Sequence, residues 1–138
     1  FSLGLDPGYR RLFVDYLRDY ARSENKTVFL TSHIIQDMER LIDDCIIMDY
    51  GSILIQQPIE TLMKGLRKYT CTVPEGYQPQ LPVTCYHPAV IRQTLETYSF
   101  LPPSDVEGLL KENQVPFTGL QHENVGLEDA FIGLTGKY

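Results

Sequence analysis

Basic residues are scarce in this sequence: 12 Lys and Arg stand against 18 Asp and Glu in 138 residues, for a formal net charge of −6. A free-standing nucleic-acid binder carries the opposite balance, so that class is disfavoured. Long apolar runs are missing too, and none approaches the roughly 18–20 residues a membrane span requires. Residues 1–6 hold neither a basic n-region nor a long apolar h-region, so they do not read as a signal peptide. Cysteine is sparse. Cys45, Cys71 and Cys85 are odd in number and far apart, which fits a reducing cytosol better than a disulfide framework. No two of them form a CxxC pair, so neither a zinc site nor a redox motif is expected. Internal repeats and low-complexity tracts are absent. There is no initiator Met, and the chain opens in what reads as a loop before a helix, so the expectation is a piece of a longer protein.

What is present suits a soluble globular protein. Hydrophobic residues make up 43% and charged residues 22%. A chain this long can bury a core without disulfides or metals.

Asp6 is a good N-cap and Pro7 a good first helical residue. Tyr9, Leu12, Phe13, Tyr16, Leu17 and Tyr20 then repeat at helical spacing, with Arg10, Arg11, Asp15, Arg18 and Asp19 on the other face. The tyrosines read as core or interface residues, in a helix ending near residues 23–25. Residues 27–31 are apolar and β-rich without alternation, the pattern of a strand buried on both faces in a parallel sheet. A helix is expected over 34–43, with Ile35, Met38, Leu41 and Ile42 inward. Asp37, Glu39, Asp43 and Asp44 are then a solvated face rather than a metal cluster. Residues 45–48 read as another buried strand, 49–52 as a turn and 53–55 as a returning strand. Pro58 opens a short helix carrying Ile59, Leu62, Met63 and Leu66. This rhythm predicts an α/β fold with a mainly parallel sheet and an antiparallel edge at Gly51.

The texture changes after residue 66. The pattern predicts strands at 69–73, 83–86 and 115–120 around a proline-rich loop over 74–82. Helices are expected at 88–98 and, from the Ser104-Asp105-Val106-Glu107 capping box, to about Asn113. An amphipathic segment with Leu127, Ala130, Phe131 and Leu134 on one face follows Gly126. Residues 67–138 thus read as a small α+β appendage. His87 and His122 have no ligand-spaced partner and read as incidental. Cys71 and Cys85 read as neighbours on adjacent strands or, more simply, as small buried apolar residues.

Two segments sit where open parallel sheets place ligands, at or beyond strand carboxyl ends: Gly4-Leu5-Asp6-Pro7 and Thr31-Ser32-His33. One amphipathic helix separates them. In this order they resemble the D-loop and switch-histidine regions of the ATP-binding cassette (ABC) ATPases. Residues 37–44 are similar to the helix after the switch histidine, and Gly51-Ser52-Ile53 to the G-x-I hairpin. The run from Leu127 to Gly136 is similar to the L-E-D-x-F-x-x-L-T-G ending of bacterial exporter subunits. The resemblance is strong over residues 1–66, good over the last dozen and only one of layout between.

The resemblance implies the C-terminal part of a P-loop (RecA-like) ABC ATPase core over 1–66, with a C-terminal extension over 67–138. It implies that His33 contacts the γ-phosphate of ATP and helps position the attacking water. Gly4, Leu5, Asp6 and Pro7 would form the D-loop at a dimer interface. It further implies ATP and Mg²⁺ as cofactors of the parent protein, and as partners a second nucleotide-binding subunit and transmembrane permease subunits. Location would be cytoplasmic, peripheral at the inner membrane face. G-x-x-x-x-G-K-[ST], L-S-G-G-Q and the Walker B strand do not occur in these 138 residues. The chain alone is therefore expected to bind no cofactor or metal, to hydrolyse nothing and to self-associate through uncovered edges. Two other readings stand beside this one: a non-enzymatic regulatory or dimerisation module, and a piece of a soluble ABC-type ATPase. The wording of the motifs and the acidic charge disfavour the last.

Overall fold

The computed structural model describes residue 4 and residues 6–136. Helix α1 spans Pro7–Ser23. A single 3-10 turn follows at Met38–Arg40. Strands β1 (Asp44–Asp49) and β2 (Ser52–Pro58) form an antiparallel hairpin that runs into helix α2 (Ile59–Gly65). Then come β3 (Arg67–Thr72), β4 (Tyr86–Ile91), β5 (Thr94–Ser99), helix α3 (Pro103–Glu112), β6 (Thr118–Asn124) and helix α4 (Leu127–Thr135).

Every strand pairing among the described residues is antiparallel. The sheets are the β1–β2 pair and a four-stranded sheet of order β4-β5-β3-β6. The expected mainly parallel sheet is therefore corrected: a mixed α/β arrangement is present, built on hairpins. Residues 27–31, expected to be a doubly buried strand, pair with no described strand, and Phe29 is 83% exposed. The segment has no regular secondary structure and is mostly exposed.

The helix expected over 34–43 shrinks to the 3-10 turn because Asp37 adopts a left-handed backbone, φ 66°. Its apolar positions nevertheless face inward as the pattern requires: Met38 is buried, and Ile35, Leu41 and Ile42 pack against the same core. Strand β1 alternates rather than hiding both faces. Cys45 and Ile47 are buried, whereas Ile46 and Met48 are exposed.

The largest correction lies at 88–98. The expected helix is instead the β4–β5 hairpin, turning at Arg92 (φ 58°) and Gln93. Val90, Ile91, Leu95 and Tyr98 suit a helical face on paper, but Leu95, Thr97 and Ser99 bury with a period of two. Pairing with β3 sets Cys71 against Leu95 and Tyr69 against Thr97, and that burial outweighs local propensity. The strand expected at 83–86 moves forward to β4, leaving Val83 exposed, and the strand expected at 115–120 moves to β6. Ser104 does not cap α3; the helix begins behind Pro102 with Pro103 in its first turn.

Two cores result. One gathers Met38, Cys45, Ile47, Ile55, Leu62 and Leu66 with Tyr98, Val125, Leu127, Ala130 and Leu134. It joins residues on both sides of position 66. The other lies between the four-stranded sheet and α3: Tyr69, Cys71, Val73 and Leu95 against Val106, Leu110 and Val115. Strand β5 serves both, Leu95 facing α3 and Tyr98 the opposite face, toward α4.

Candidate functional site

Asp6 sits in extended backbone (φ −67°, ψ 163°), and its Oδ1 accepts from the amides of Gly8 (2.8 Å) and Tyr9 (3.1 Å). The two first-turn N–H groups that follow Pro7, which has none of its own, are thereby satisfied. Pro7 follows as the first helical residue. Gly4 is exposed in a turn, where an added Cβ would meet nothing within 4 Å. Leu5 lies outside the described residues.

His33 is exposed at a bend in the irregular segment between α1 and the 3-10 turn. Its neighbour Ser32 shapes the turn: Oγ accepts from the Ile34 amide at 2.9 Å and donates to the Ile34 carbonyl at 3.2 Å. Asp37, four residues on, holds the left-handed conformation noted above, which costs a non-glycine residue about 1 kcal/mol.

Side chains from α1 bind this segment. Arg10 Nη1 donates to Gln36 Oε1 at 2.7 Å, and Arg40 Nη2 pairs with Asp15 Oδ1 at 2.8 Å. The helix started by Asp6 and the segment that follows His33 are thus fastened twice. Arg10 and Asp15 read in sequence only as the polar face of a helix, and nothing local marks contacts 25 and 26 residues apart. Glu39 is exposed as expected but makes a long-range contact as well. Its carboxylate accepts from the backbone amide of Leu127, at the start of α4. Asp43 and Asp44 are exposed as expected, and Asp37 is half-buried.

The L-T-G ending has a local physical meaning. Leu134 is buried, Thr135 Oγ1 donates to the Phe131 carbonyl at 2.7 Å, and Gly136 ends α4 in the left-handed conformation at φ 70°. His87 closes the same end. A bulge between Tyr86 and Ala89 lifts it from the β4 ladder, and its Nε2 donates to the Leu134 carbonyl at 3.1 Å. His122, by contrast, only tilts against the Tyr69 ring, centroids 5.9 Å apart.

All three cysteines are free and buried, and burial pushes each thiol above its ordinary pKa. Burial also raises Tyr69, whose hydroxyl donates to the Leu101 carbonyl at 2.6 Å.

An anion such as a nucleotide phosphate is commonly held by open N–H groups at a helix N-terminus. At each of the four helix starts some of these groups are already taken or missing. Asp6 caps α1, the Asp43 carbonyl accepts from Ile59 at α2, α3 opens on prolines, and Glu39 caps α4. Among the described residues, no group of three or more His, Cys, Asp or Glu side chains is placed to hold a metal ion. Nor is any helix long and apolar enough to cross a membrane.

Over nearly its whole length the chain is homologous to ATP-binding proteins of ABC transporters. No protein-family model matches it. The Nod factor export ATP-binding protein I of Ralstonia nicotianae is 32% identical over 147 residues, covering 99% of this chain and 44% of that protein. Its namesake in Burkholderia orbicola is 28% identical over 143 residues, covering 99% and 45%. The energy-coupling factor transporter ATP-binding protein EcfA2 of Staphylococcus aureus is 37% identical over 67 residues, covering 49% of this chain and 23% of that protein. The chain spans about half the length of the Nod factor export proteins it matches, 44% and 45% in these two.

Proposed function

We propose that the chain is the C-terminal part of an ATP-hydrolysing subunit of an ABC transporter. In this reading His33 is its switch histidine and Gly4, Leu5, Asp6 and Pro7 are its D-loop. The reading rests on one observation above all: Arg10–Gln36 and Asp15–Arg40 fasten the helix behind Asp6 to the segment behind His33. Such a frame is what two site elements need if they are to act at one nucleotide. The expected organisation is a nucleotide-binding portion over 1–66 and a small α+β extension over 67–138, sharing the core around Leu62 and Leu127.

In the whole subunit Mg²⁺-ATP supplies the phosphoryl group and the metal that neutralises its charge. His33 then contributes one imidazole N–H to a phosphate oxygen and helps hold the attacking water, work its exposed side chain leaves it free to do. Asp6 first holds the start of α1 and so presents its own loop toward a second nucleotide-binding subunit. Permease subunits set the transported substrate and keep the protein peripheral at the cytoplasmic membrane face; nucleic acid is no partner. Alone, the chain neither hydrolyses ATP nor binds it well, because these 138 residues hold no G-x-x-x-x-G-K-[ST] phosphate cradle. It self-associates instead.

The coding sequence upstream of the Phe1 codon tests this. An in-frame G-x-x-x-x-G-K-[ST], an L-S-G-G-Q-like run and an apolar strand ending in D-E are expected. In that longer protein, His33→Ala should lower ATP turnover by about 10²-fold or more while ATP binding persists. Unchanged turnover would remove the role of His33. A reading frame opening near Phe1 would favour a regulatory or dimerisation module, as would Mg²⁺-independent behaviour of the whole protein.

A further inference from the structure

The segment carrying His33 is held from two sides. On one side are the α1 contacts described above. On the other is the Glu39 carboxylate, which reaches across 88 residues of sequence to the Leu127 amide. A carboxylate on a backbone N–H at a helix start combines a charge-assisted hydrogen bond with the favourable sign of the helix dipole. The far end of α4 is closed by the His87 imidazole on the Leu134 carbonyl. Helix α4 is therefore a strut between the His33 segment and the four-stranded sheet.

We infer that Glu39 is a positioning residue: by capping α4 it couples the C-terminal helix to the segment that carries His33, so that the two order and loosen together. The importance of His33 rests on the function proposed above; the coupling does not. Through it, a ligand or partner that stiffens the C-terminal region would also stiffen the His33 segment, and one that loosens α4 would release it.

The 3-10 turn supplies its own probes, because the amides of Leu41 and Ile42 bond the Met38 carbonyl at 3.0 and 3.1 Å and should exchange slowly. Asp129 is exposed on α4, and Asp129→Gly weakens that helix without touching the turn. Asp129 also sits in the first turn of α4, so its loss removes a favourable helix-dipole charge, and amide hydrogen exchange on the full chain should show α4 opening about two- to fivefold more readily in Asp129→Gly, with Leu41 and Ile42 accelerating by a similar factor. In a Glu39→Ala background the same glycine should accelerate α4 alone. Glu39→Gln keeps an acceptor oxygen and should restore the linkage in part.

Unchanged exchange at Leu41 and Ile42 in Asp129→Gly would overturn the proposal, and that comparison needs no Glu39 variant to fold. Acceleration there with and without Glu39 would overturn it too, since the coupling would then run through the shared apolar core. ATP turnover reports the role of His33 separately, so failure of that reading leaves the exchange result standing.

Discussion

At Gly133 the backbone of α4 runs so close to the Tyr98 ring that an added Cβ would lie 2.4 Å from its Cγ. Tyr98 is 8% exposed in the core and has little room to retreat. Gly108, inside α3, is the opposite case, with nothing within 4 Å of an added Cβ. Both are helical glycines, so alanine offers each about the same gain in helix propensity, up to ~1 kcal/mol. At Gly108 that gain stands alone, and Gly108→Ala should raise the urea midpoint slightly. At Gly133 the overpacking term wins, and Gly133→Ala should cost about 1–3 kcal/mol. A Gly133→Ala protein as stable as the parent would mean that α4 does not rest on Tyr98 as described.

Among the elements, those whose ends carry local chemistry were legible in the sequence. Asp6 and Pro7 place the start of α1, Asn25 lies just past its end, and the L-T-G triplet closes α4. The β4–β5 hairpin was not legible, because Val90, Ile91, Leu95 and Tyr98 satisfy a helical template as well as a pleated one. Only pairing with β3, a long-range fact, decides between them. Candidate site residues were legible as motifs, whereas what holds them was not: Gln36, Glu39 and Arg40 act through partners on other elements. Cys71 and Cys85 suit burial as small apolar residues, and all three cysteines lie buried, Cys45 in the first core and Cys71 in the second. That placement carries a pH dependence. Burial raises the folded-state thiol pKa values above the unfolded value of about 8.5. Their stabilising contribution is full below that pH and is lost as pH rises through the folded-state values. Tyr69 acts in the same direction from about pH 10 upward. Urea midpoints should therefore fall in alkaline solution above about pH 8.5. A midpoint that stays level there would show the thiols to be open to solvent.

For the molecule as a whole, the notable surface feature among the described residues is exposed apolar side chains. Of all the α1 side chains only Val14 is buried. Tyr9, Leu12, Phe13, Tyr16 and Tyr20 present one exposed face, and the first four line a shallow depression of about 340 Å³. Val28 and Phe29 extend the exposed surface beyond α1, and Ile46, Met48, Ile53 and Leu54 add another on the β1–β2 hairpin. Patches of this kind are covered in stable monomers. We expect the purified chain to self-associate, its sedimentation coefficient rising with concentration. The net charge of −6 opposes that contact, so added salt should strengthen it, whereas association through ion pairs would weaken. Leu12→Glu combined with Tyr16→Glu adds like charges to the α1 face without touching Val14. It should yield a folded chain that stays monomeric longer as concentration rises. If the double variant associates as strongly as the parent, α1 is not the contact, and the exposed strand edges, pairing between copies, become the route. If the parent is monomeric throughout, uncovered surface does not drive this chain together, and the self-association proposed for it falls.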